Sequence, residues 1–185
     1  WTAMAVAEHF RDEGRQVLIV HVGELRVQRL DRLARAGEPA PDATVWVPVP
    51  TWVNHLAILA DAGLSVRTHK YLDAAGHDVD FEAMMGGLQG MTAGDIVLLH
   101  GCCHNPSGAS LDKAQWDALC DLLEQRGAIP FVDLAYQGFG LGLEDDAYAA
   151  RLFTRRLPEV LVAVSNSKNF GIYRERTGAA FVLAA

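Results

Sequence analysis

Short apolar runs alternate with amphipathic stretches along most of the chain, a pattern typical of strands alternating with helices. The apolar runs are nearly continuous, as expected for strands that are covered on both faces of a sheet. They predict strands at residues 16–20, 44–49, 65–71, 95–100, 128–133, 160–165 and 179–185. The stretches with apolar residues at helical spacing predict helices at residues 3–13, 24–37, 52–63, 80–90, 111–127 and 146–157. Ser110 is the predicted N-cap of the helix at residues 111–127.

The order of these elements predicts an α/β fold with three layers, α/β/α, built around a mostly parallel mixed sheet. In open sheets of this kind, ligands bind beside the carboxyl ends of the strands. The residues that directly follow each strand are therefore the first candidates for a functional site.

The composition argues against several other kinds of protein. The 185 residues suffice for one domain with a hydrophobic core. The formal net charge of −7 argues against a surface for nucleic acid or anionic membranes, and the apolar runs are too short to span a bilayer. No basic segment precedes an apolar stretch as in a secretion signal, and three cysteines do not form a disulfide framework. We therefore expect a cytoplasmic protein with neither nucleic-acid nor membrane partners.

Three successive predicted strands are followed by polar side chains that seldom occur together. The loop "GCCHNPSG" follows the strand at 95–100, the segment "DLAYQGFG" begins at the end of the strand at 128–133, and "SNSKNFGIYRER" follows the run that ends at residue 164. The candidates from these loops are Asn105, Asp133, Tyr136, Ser165, Ser167, Lys168 and Arg176. An amide, a carboxylate, a phenol, two hydroxyls, an amine and a guanidinium would then share one edge of the sheet.

This set of groups suits pyridoxal 5'-phosphate. The amine of Lys168 can form a Schiff base with the cofactor's aldehyde, and the ring then acts as an electron sink. A carboxylate such as Asp133 beside the pyridine nitrogen favours its protonated form, which makes the ring a better sink. Asn105 and Tyr136 could donate to the ring oxygen. The serine hydroxyls and Arg176 could bind the phosphate, for which a guanidinium fork is well shaped.

The motifs "HGCCHNPSG", "DLAYQGFG" and "SNSKNFGIYRERTG" resemble, in their order and spacing, the large domain of class I pyridoxal-phosphate aminotransferases of the aspartate and aromatic amino-acid branch. The similarity runs from about "TVWVPVPTWVNH" to the end of the chain. The resemblance implies that Lys168, Asp133 and Tyr136 are catalytic. It implies a cofactor-binding set of Trp52, Asn105, Asp133, Tyr136, Ser165, Ser167, Lys168 and Arg176, with Trp52 stacked on the ring.

The resemblance also implies an activity and an organisation. The expected reaction is transamination between an amino acid, aspartate or aromatic, and a 2-oxo acid such as 2-oxoglutarate, carried out by a homodimer. Residues 43–185 would form the cofactor-binding core of the large domain, truncated before the small domain. Residues 1–42 would be a divergent helix–strand–helix segment packed on the same domain, with His21 and Val22 where the family has a glycine–threonine turn. The alternative is a non-catalytic fragment that retains the fold as a binding or structural module, with weak or no cofactor binding.

The run "HGCCH" raises the question of a metal site. His100, Cys102, Cys103 and His104 are all possible ligands, but neighbouring residues on an extended chain point to opposite sides, and the spacing is not that of a zinc site. We therefore expect no metal, and we interpret Cys102 and Cys103 as small packing residues. The acidic run "LEDDAY" is interpreted as a solvated loop and helix start.

Overall fold

The computed structural model describes the backbone of residues 16–21, and both backbone and side chains of residues 43–175 and 177–184. The helices predicted at residues 3–13 and 24–37, and the predicted phosphate ligand Arg176, lie outside the described residues. All seven predicted strands are confirmed, and no strand end shifts by more than one residue. They are β1 (Gln16–His21), β2 (Thr44–Val49), β3 (Ser65–Lys70), β4 (Ile96–His100), β5 (Ile129–Leu134), β6 (Val160–Ser165) and β7 (Gly178–Ala184).

The four helices predicted after residue 43 are also confirmed, each shorter than the sequence pattern indicated. They are α1 (Asn54–Asp61), α2 (Phe81–Gly87), α3 (Lys113–Arg126) and α4 (Tyr148–Arg156), with short 3-10 helices at Leu88–Gly90 and Tyr173–Glu175. In the described part of the chain, no helix is long and apolar enough to pass through a membrane.

The seven strands form one mixed sheet in the order β1-β7-β6-β5-β4-β2-β3. The pairs from β3 to β6 are parallel, whereas β7 is antiparallel to both β6 and β1. Strand β2 lies between β3 and β4, so the direction in which the sheet is extended reverses there. Such a reversal opens a crevice at the carboxyl ends of the strands, where ligands bind in open α/β sheets.

Hydrophobic residues cover both faces of the sheet. On one face Trp46, Val97, Val132 and Val162 pack with side chains of α2, α3 and α4, and on the other Val45, Val47, Ile96 and Leu98 pack with Leu59 of α1. Those two faces account for the nearly continuous apolar runs, because both sides of each central strand are buried. The three-layer α/β/α prediction is therefore confirmed.

The N-cap of α3 was predicted wrongly. Asp112, not Ser110, caps this helix: its Oδ1 accepts the N–H of Gln115 at 2.8 Å, and the Gln115 side chain accepts the N–H of Asp112 at 2.9 Å. This reciprocal pair is a capping box, which satisfies two amides at once and is preferred to a lone hydroxyl. The hydroxyl of Ser110 instead accepts the N–H of Cys103 at 2.9 Å, which ties the start of α3 to the loop after β4.

Candidate active site

Strand alternation places three polar residues on one face at the carboxyl edge of the sheet. Leu98, Phe131 and Leu161 pack in the cluster under α1, and side chains two or four positions further along a strand share the same face. His100, Asp133 and Ser165 follow at those intervals on β4, β5 and β6. His100 is paired with Asp133, and Asp133 with Ala163, in the sheet register. Three adjacent strands thus deliver an imidazole, a carboxylate and a hydroxyl to one edge.

Helix α1 supplies a partner for Asp133. His55, in the first turn of α1, is buried, and its Nε2 lies 3.3 Å from Oδ2 of Asp133. The Asp133 side chain is 21% exposed, so solvent still reaches part of it. The loop between β2 and α1 is short, and the backbone of His55 donates to the carbonyl of Trp52 at 2.9 Å, which fixes the start of the helix beside β5.

A hydroxyl connects His55 to a second buried histidine. Thr51 Oγ1 lies 2.8 Å from Nδ1 of His55 and 3.1 Å from Nε2 of His100. Burial, reinforced by the nearby His104, lowers the pKa of His100 to about 3, so this imidazole is neutral at physiological pH. One consistent set of bonds has His100 donating to Thr51, Thr51 donating to His55, and His55 donating to Asp133.

A further histidine joins the loop that carries Trp52 to the loop that carries Asn105. His104 is almost completely buried, its Nε2 donates to the carbonyl of Pro50 at 2.9 Å, and its Nδ1 accepts the hydroxyl of Ser107 at 2.8 Å. This pattern requires a neutral ring, and burial lowers the pKa of His104 accordingly. The half-buried Asn105 follows His104 directly and precedes a cis peptide bond to Pro106.

Trp52 lies in the loop before α1, not in the helix as the pattern predicted. It is 37% exposed, and its ring meets that of His55 edge to face, with centroids 5.2 Å apart and an interplanar angle of 88°. The indole is therefore an accessible aromatic surface beside the imidazole that contacts Asp133.

Lys168, which follows β6, and Tyr136, which follows β5, come together beyond the ends of these strands. The Nζ atom of Lys168 lies 4.9 Å from the centroid of the Tyr136 ring, a cation–π distance, and both side chains are half-buried. Lys168 is held in a turn after β6, in which the N–H of Gly171 donates to the Lys168 carbonyl at 3.1 Å. The same turn buries Ser167, whose N–H donates to Oγ of Ser165 at 3.3 Å.

The described residues of the predicted site therefore occupy one edge of the sheet, in two contact groups. Trp52 and Asp133 meet through His55, whereas Lys168 meets Tyr136, and Ser165 and Ser167 lie just before Lys168. Sequence reasoning missed the residues that support these groups. They are Thr51, His55, His100 and His104. A signal was present, since Thr51 and His55 are four residues apart at a helix start and two histidines bracket the loop after β4.

Two interpretations, one of the loop after β4 and one of the acidic run before α4, were wrong. The Sγ atoms of Cys102 and Cys103 do not point apart; they and a carboxylate oxygen of Asp146 all lie within 4.8 Å of one another. Asp146, assigned to a solvated acidic run, is 5% exposed and accepts three backbone N–H groups. The neighbouring Glu144 and Asp145 are exposed, as expected.

Comparison with known proteins identifies the family of this chain. The family model described as aminotransferase class I and II matches residues 26–185. The aromatic-amino-acid aminotransferase of Paracoccus denitrificans is 56% identical over 145 residues, which are 78% of this chain and 37% of that protein. The aspartate aminotransferase of Salmonella typhi is 48% identical over 145 residues, again 78% of this chain and 37% of that protein. The chain thus spans well under half the length of these relatives.

A solved structure extends the match to three dimensions. The aromatic-amino-acid aminotransferase of Burkholderia pseudomallei, covalently bound to pyridoxal phosphate, superposes with a TM-score of 0.83 at 39% identity, covering 91% of this chain and 42% of that one. The sequence motifs, the sheet order and these matches agree, and the chain belongs to the class I and II aminotransferase family.

Proposed function

We propose that residues 43–185 form the pyridoxal-phosphate-binding core of an aminotransferase that exchanges amino groups between aspartate or an aromatic amino acid and a 2-oxo acid such as 2-oxoglutarate. The observation that carries this proposal is the arrangement of Asp133 and Lys168 at the carboxyl ends of adjacent strands, each with its own aromatic or imidazole partner. We also infer a cytoplasmic homodimer, on the strength of family membership.

The residues at this edge fit the cofactor's chemical groups. A half-buried lysine over a tyrosine ring, a partly exposed carboxylate, and hydroxyls at the end of β6 match the cofactor's aldehyde, pyridine nitrogen and phosphate in kind. When bound, pyridoxal phosphate supplies a reactive aldehyde and an electron-withdrawing ring that stabilises a carbanion at the substrate Cα.

Asp133 would hold a proton on the pyridine nitrogen. An ionised carboxylate at hydrogen-bond distance favours the protonated form of a base, and the contact with His55 Nε2 would hold this carboxylate in position. The relay through Thr51 to the neutral His100 fixes the ring orientation of His55. The orientation of the Asp133 carboxylate would then be set by contacts within the protein.

Lys168 would capture the aldehyde and act as the general base. Its amine must be neutral to remove a proton from the substrate Cα, and the same amine can return the proton to the carbon at the other end of the conjugated system. The Tyr136 ring beneath Nζ limits the directions in which the side chain can swing. Positioning of this kind raises the rate of proton transfer between two fixed atoms.

The other predicted residues would bind and orient. Trp52 would cover one face of the cofactor ring, since its indole is accessible beside His55. Asn105 and Tyr136 would donate to the ring oxygen. Ser165, Ser167 and Arg176 would bind the phosphate.

The test is cofactor capture by the purified chain. Pyridoxal phosphate is added, the near-ultraviolet and visible spectrum is recorded, and the complex is reduced with borohydride before peptide mass mapping. We expect a new absorption band and a pyridoxyl mass increase on Lys168 alone, and we expect Lys168→Ala to lose both. Lys113→Ala, which removes an exposed lysine on α3, is the matched control and should retain both. A wild-type chain that shows no band supports the non-catalytic alternative.

A further inference from the structure

Two adjacent thiols and a carboxylate converge beside the loop that follows β4. The Sγ atoms of Cys102 and Cys103 and one carboxylate oxygen of Asp146 all lie within 4.8 Å of one another. The convergence depends on the backbone. Cys103 has φ of 46°, and among the described residues it is the one non-glycine residue with positive φ. This sharp bend replaces the extended geometry in which neighbouring side chains point apart.

The carboxylate of Asp146 is fixed in place, yet it retains capacity to bind. Its Oδ2 accepts the N–H groups of Gly138 at 2.7 Å and Gly140 at 3.0 Å, and its Oδ1 accepts the N–H of Leu141 at 2.8 Å. An ionised carboxylate offers about four lone-pair sites, so one site on Oδ1 is left. The three amides hold the carboxylate without using its last acceptor position.

The surroundings of Gly140 indicate which way the unused lone pair on Oδ1 of Asp146 faces. A Cβ placed on Gly140 would lie 2.6 Å from Oδ1 of Asp146 and 3.3 Å from Sγ of Cys103. The less occupied oxygen and the thiol are therefore on the same side of the Gly140 backbone. Cys102 and Asp146 are buried while Cys103 is half-buried, so the side of Cys103 is the route from solvent.

We propose that Cys102, Cys103 and Asp146 form a binding site for a thiophilic divalent cation, with two sulfur ligands, one carboxylate ligand and a fourth, tetrahedral position taken by water. Zinc is the common biological cation with this preference, and cadmium is its usual probe. Each thiol loses its proton as its sulfur–metal bond forms, so binding of one cation releases two protons. The carboxylate would bind through the remaining lone pair on Oδ1 of Asp146.

Binding should be strongly dependent on pH. The thiolate, not the thiol, is the form of cysteine that binds a metal ion, so the cation must displace the protons of both thiols. Affinity should therefore rise steadily as the pH is raised through the neutral range.

The test of this metal site is independent of the proposed transamination, because it uses neither cofactor nor substrate. The purified, fully reduced chain is stripped of metal and titrated with Cd²⁺, while the ultraviolet thiolate-to-cadmium charge-transfer absorption is recorded. We expect the band to saturate at one Cd²⁺ per chain with release of two protons. The ¹¹³Cd chemical shift, which reports the number of sulfur ligands, should correspond to two.

Variants separate this site from adventitious binding. The double variant Cys102→Ser/Cys103→Ser should lose the band while its far-ultraviolet circular dichroism stays that of the wild type. Cys120→Ser, which changes the buried cysteine of α3 outside the cluster, is the matched control and should retain the full band. Absence of a saturable band in the wild type, its survival in the double variant, its loss in Cys120→Ser, or a chemical shift for one sulfur or for three would each overturn the proposal.

Discussion

Asp133 Oδ2 lies 3.3 Å from Nε2 of His55, which joins the end of β5 to the first turn of α1. The two residues are 78 positions apart in the sequence, so the contact exists only because α1 packs over the strands at this edge. The contact gives Asp133 a neighbouring imidazole, while part of the Asp133 side chain stays exposed. A carboxylate in that position is suited to hold a proton on a ring nitrogen.

The first prediction concerns Asp133→Asn. An amide cannot stabilise a protonated pyridine nitrogen as a carboxylate does, so the chain should still capture pyridoxal phosphate on Lys168 but exchange the substrate Cα proton far more slowly. We expect a loss of about 10²-fold or more in that rate, the range of a general acid–base contribution. Deuterium exchange at the Cα of aspartate, followed by NMR, measures it.

The matched control is Asp121→Asn, which removes an exposed carboxylate on α3 that pairs with Arg156. This variant should exchange the Cα proton at the wild-type rate. Equal exchange rates for Asp133→Asn and the wild type would show that Asp133 does not act on the cofactor ring.

The second prediction concerns Thr51, whose hydroxyl links His55 to His100 at 2.8 and 3.1 Å. Thr51→Val keeps the shape but leaves a buried imidazole nitrogen without its partner, which costs about 1–3 kcal/mol. We expect a lower free energy of unfolding in urea, together with weaker pyridoxal-phosphate binding because His55 loses its orientation. Thr51→Ser retains the hydroxyl and should recover most of both. Valine and serine variants that behave alike would mean that the hydroxyl relay has no effect.

The third prediction concerns acid stability. Burial lowers the pKa of His100 to about 3, whereas the unfolded chain binds that proton below about pH 6.5. Between those values the unfolded state binds more protons, so the free energy of unfolding falls as the pH is lowered. His100→Gln should reduce this dependence by up to about 1.4 kcal/mol per pH unit below pH 6.

Urea unfolding at a series of pH values between 7 and about 4.5 measures this slope. His77→Gln, which changes an exposed histidine in the turn after β3, is the control and should leave the slope unchanged. The role assigned to His100 is wrong if its variant keeps the full wild-type slope.

The strands of this fold could be predicted from the sequence, because a strand buried on both faces leaves a continuous apolar run. Helix ends were less predictable. Each helix end depends on a local contact. In α3 the capping box of Asp112 with Gln115 sets the first turn, so the helix begins after Asp112 and not after Ser110. Trp52 fits the helical pattern of the residues that follow it, but the helix begins only at Asn54, so Trp52 lies in the preceding loop.

The candidate site was only half visible in the sequence. Residues such as Asp133 and Lys168 follow apolar runs directly, and that position alone indicates the ligand-binding edge of the sheet. The supporting residue His55 lies inside a helix, where its role depends on which strand the helix covers. The convergence of Cys102 with Cys103 depends on one backbone angle, which residue identity does not determine.

The last prediction concerns the opposite end of the sheet. Asp95, just before β4, is buried, and its carboxylate accepts the N–H of Thr44, the indole N–H of Trp46, and the N–H and hydroxyl of Thr92, at distances from 2.9 to 3.2 Å. It therefore fastens the starts of β2 and β4, whereas the candidate site lies at their carboxyl ends. Asp95→Ala leaves several buried donors without an acceptor and should lower the free energy of unfolding by about 3 kcal/mol or more.

Cofactor capture separates this structural role from a role in the site. At a temperature where Asp95→Ala remains folded, its Lys168 should take up pyridoxal phosphate as the wild type does, because the side-chain contacts of Asp95 with Thr44, Trp46 and Thr92 lie at the end of the sheet away from Lys168. Urea unfolding and borohydride labelling of the same preparation measure the two effects. Asp61→Ala, at the exposed end of α1, should change stability by no more than about 0.5 kcal/mol. If a folded Asp95→Ala chain failed to take up the cofactor, Asp95 would affect the carboxyl edge of the sheet, and its assignment to a purely structural role would be wrong.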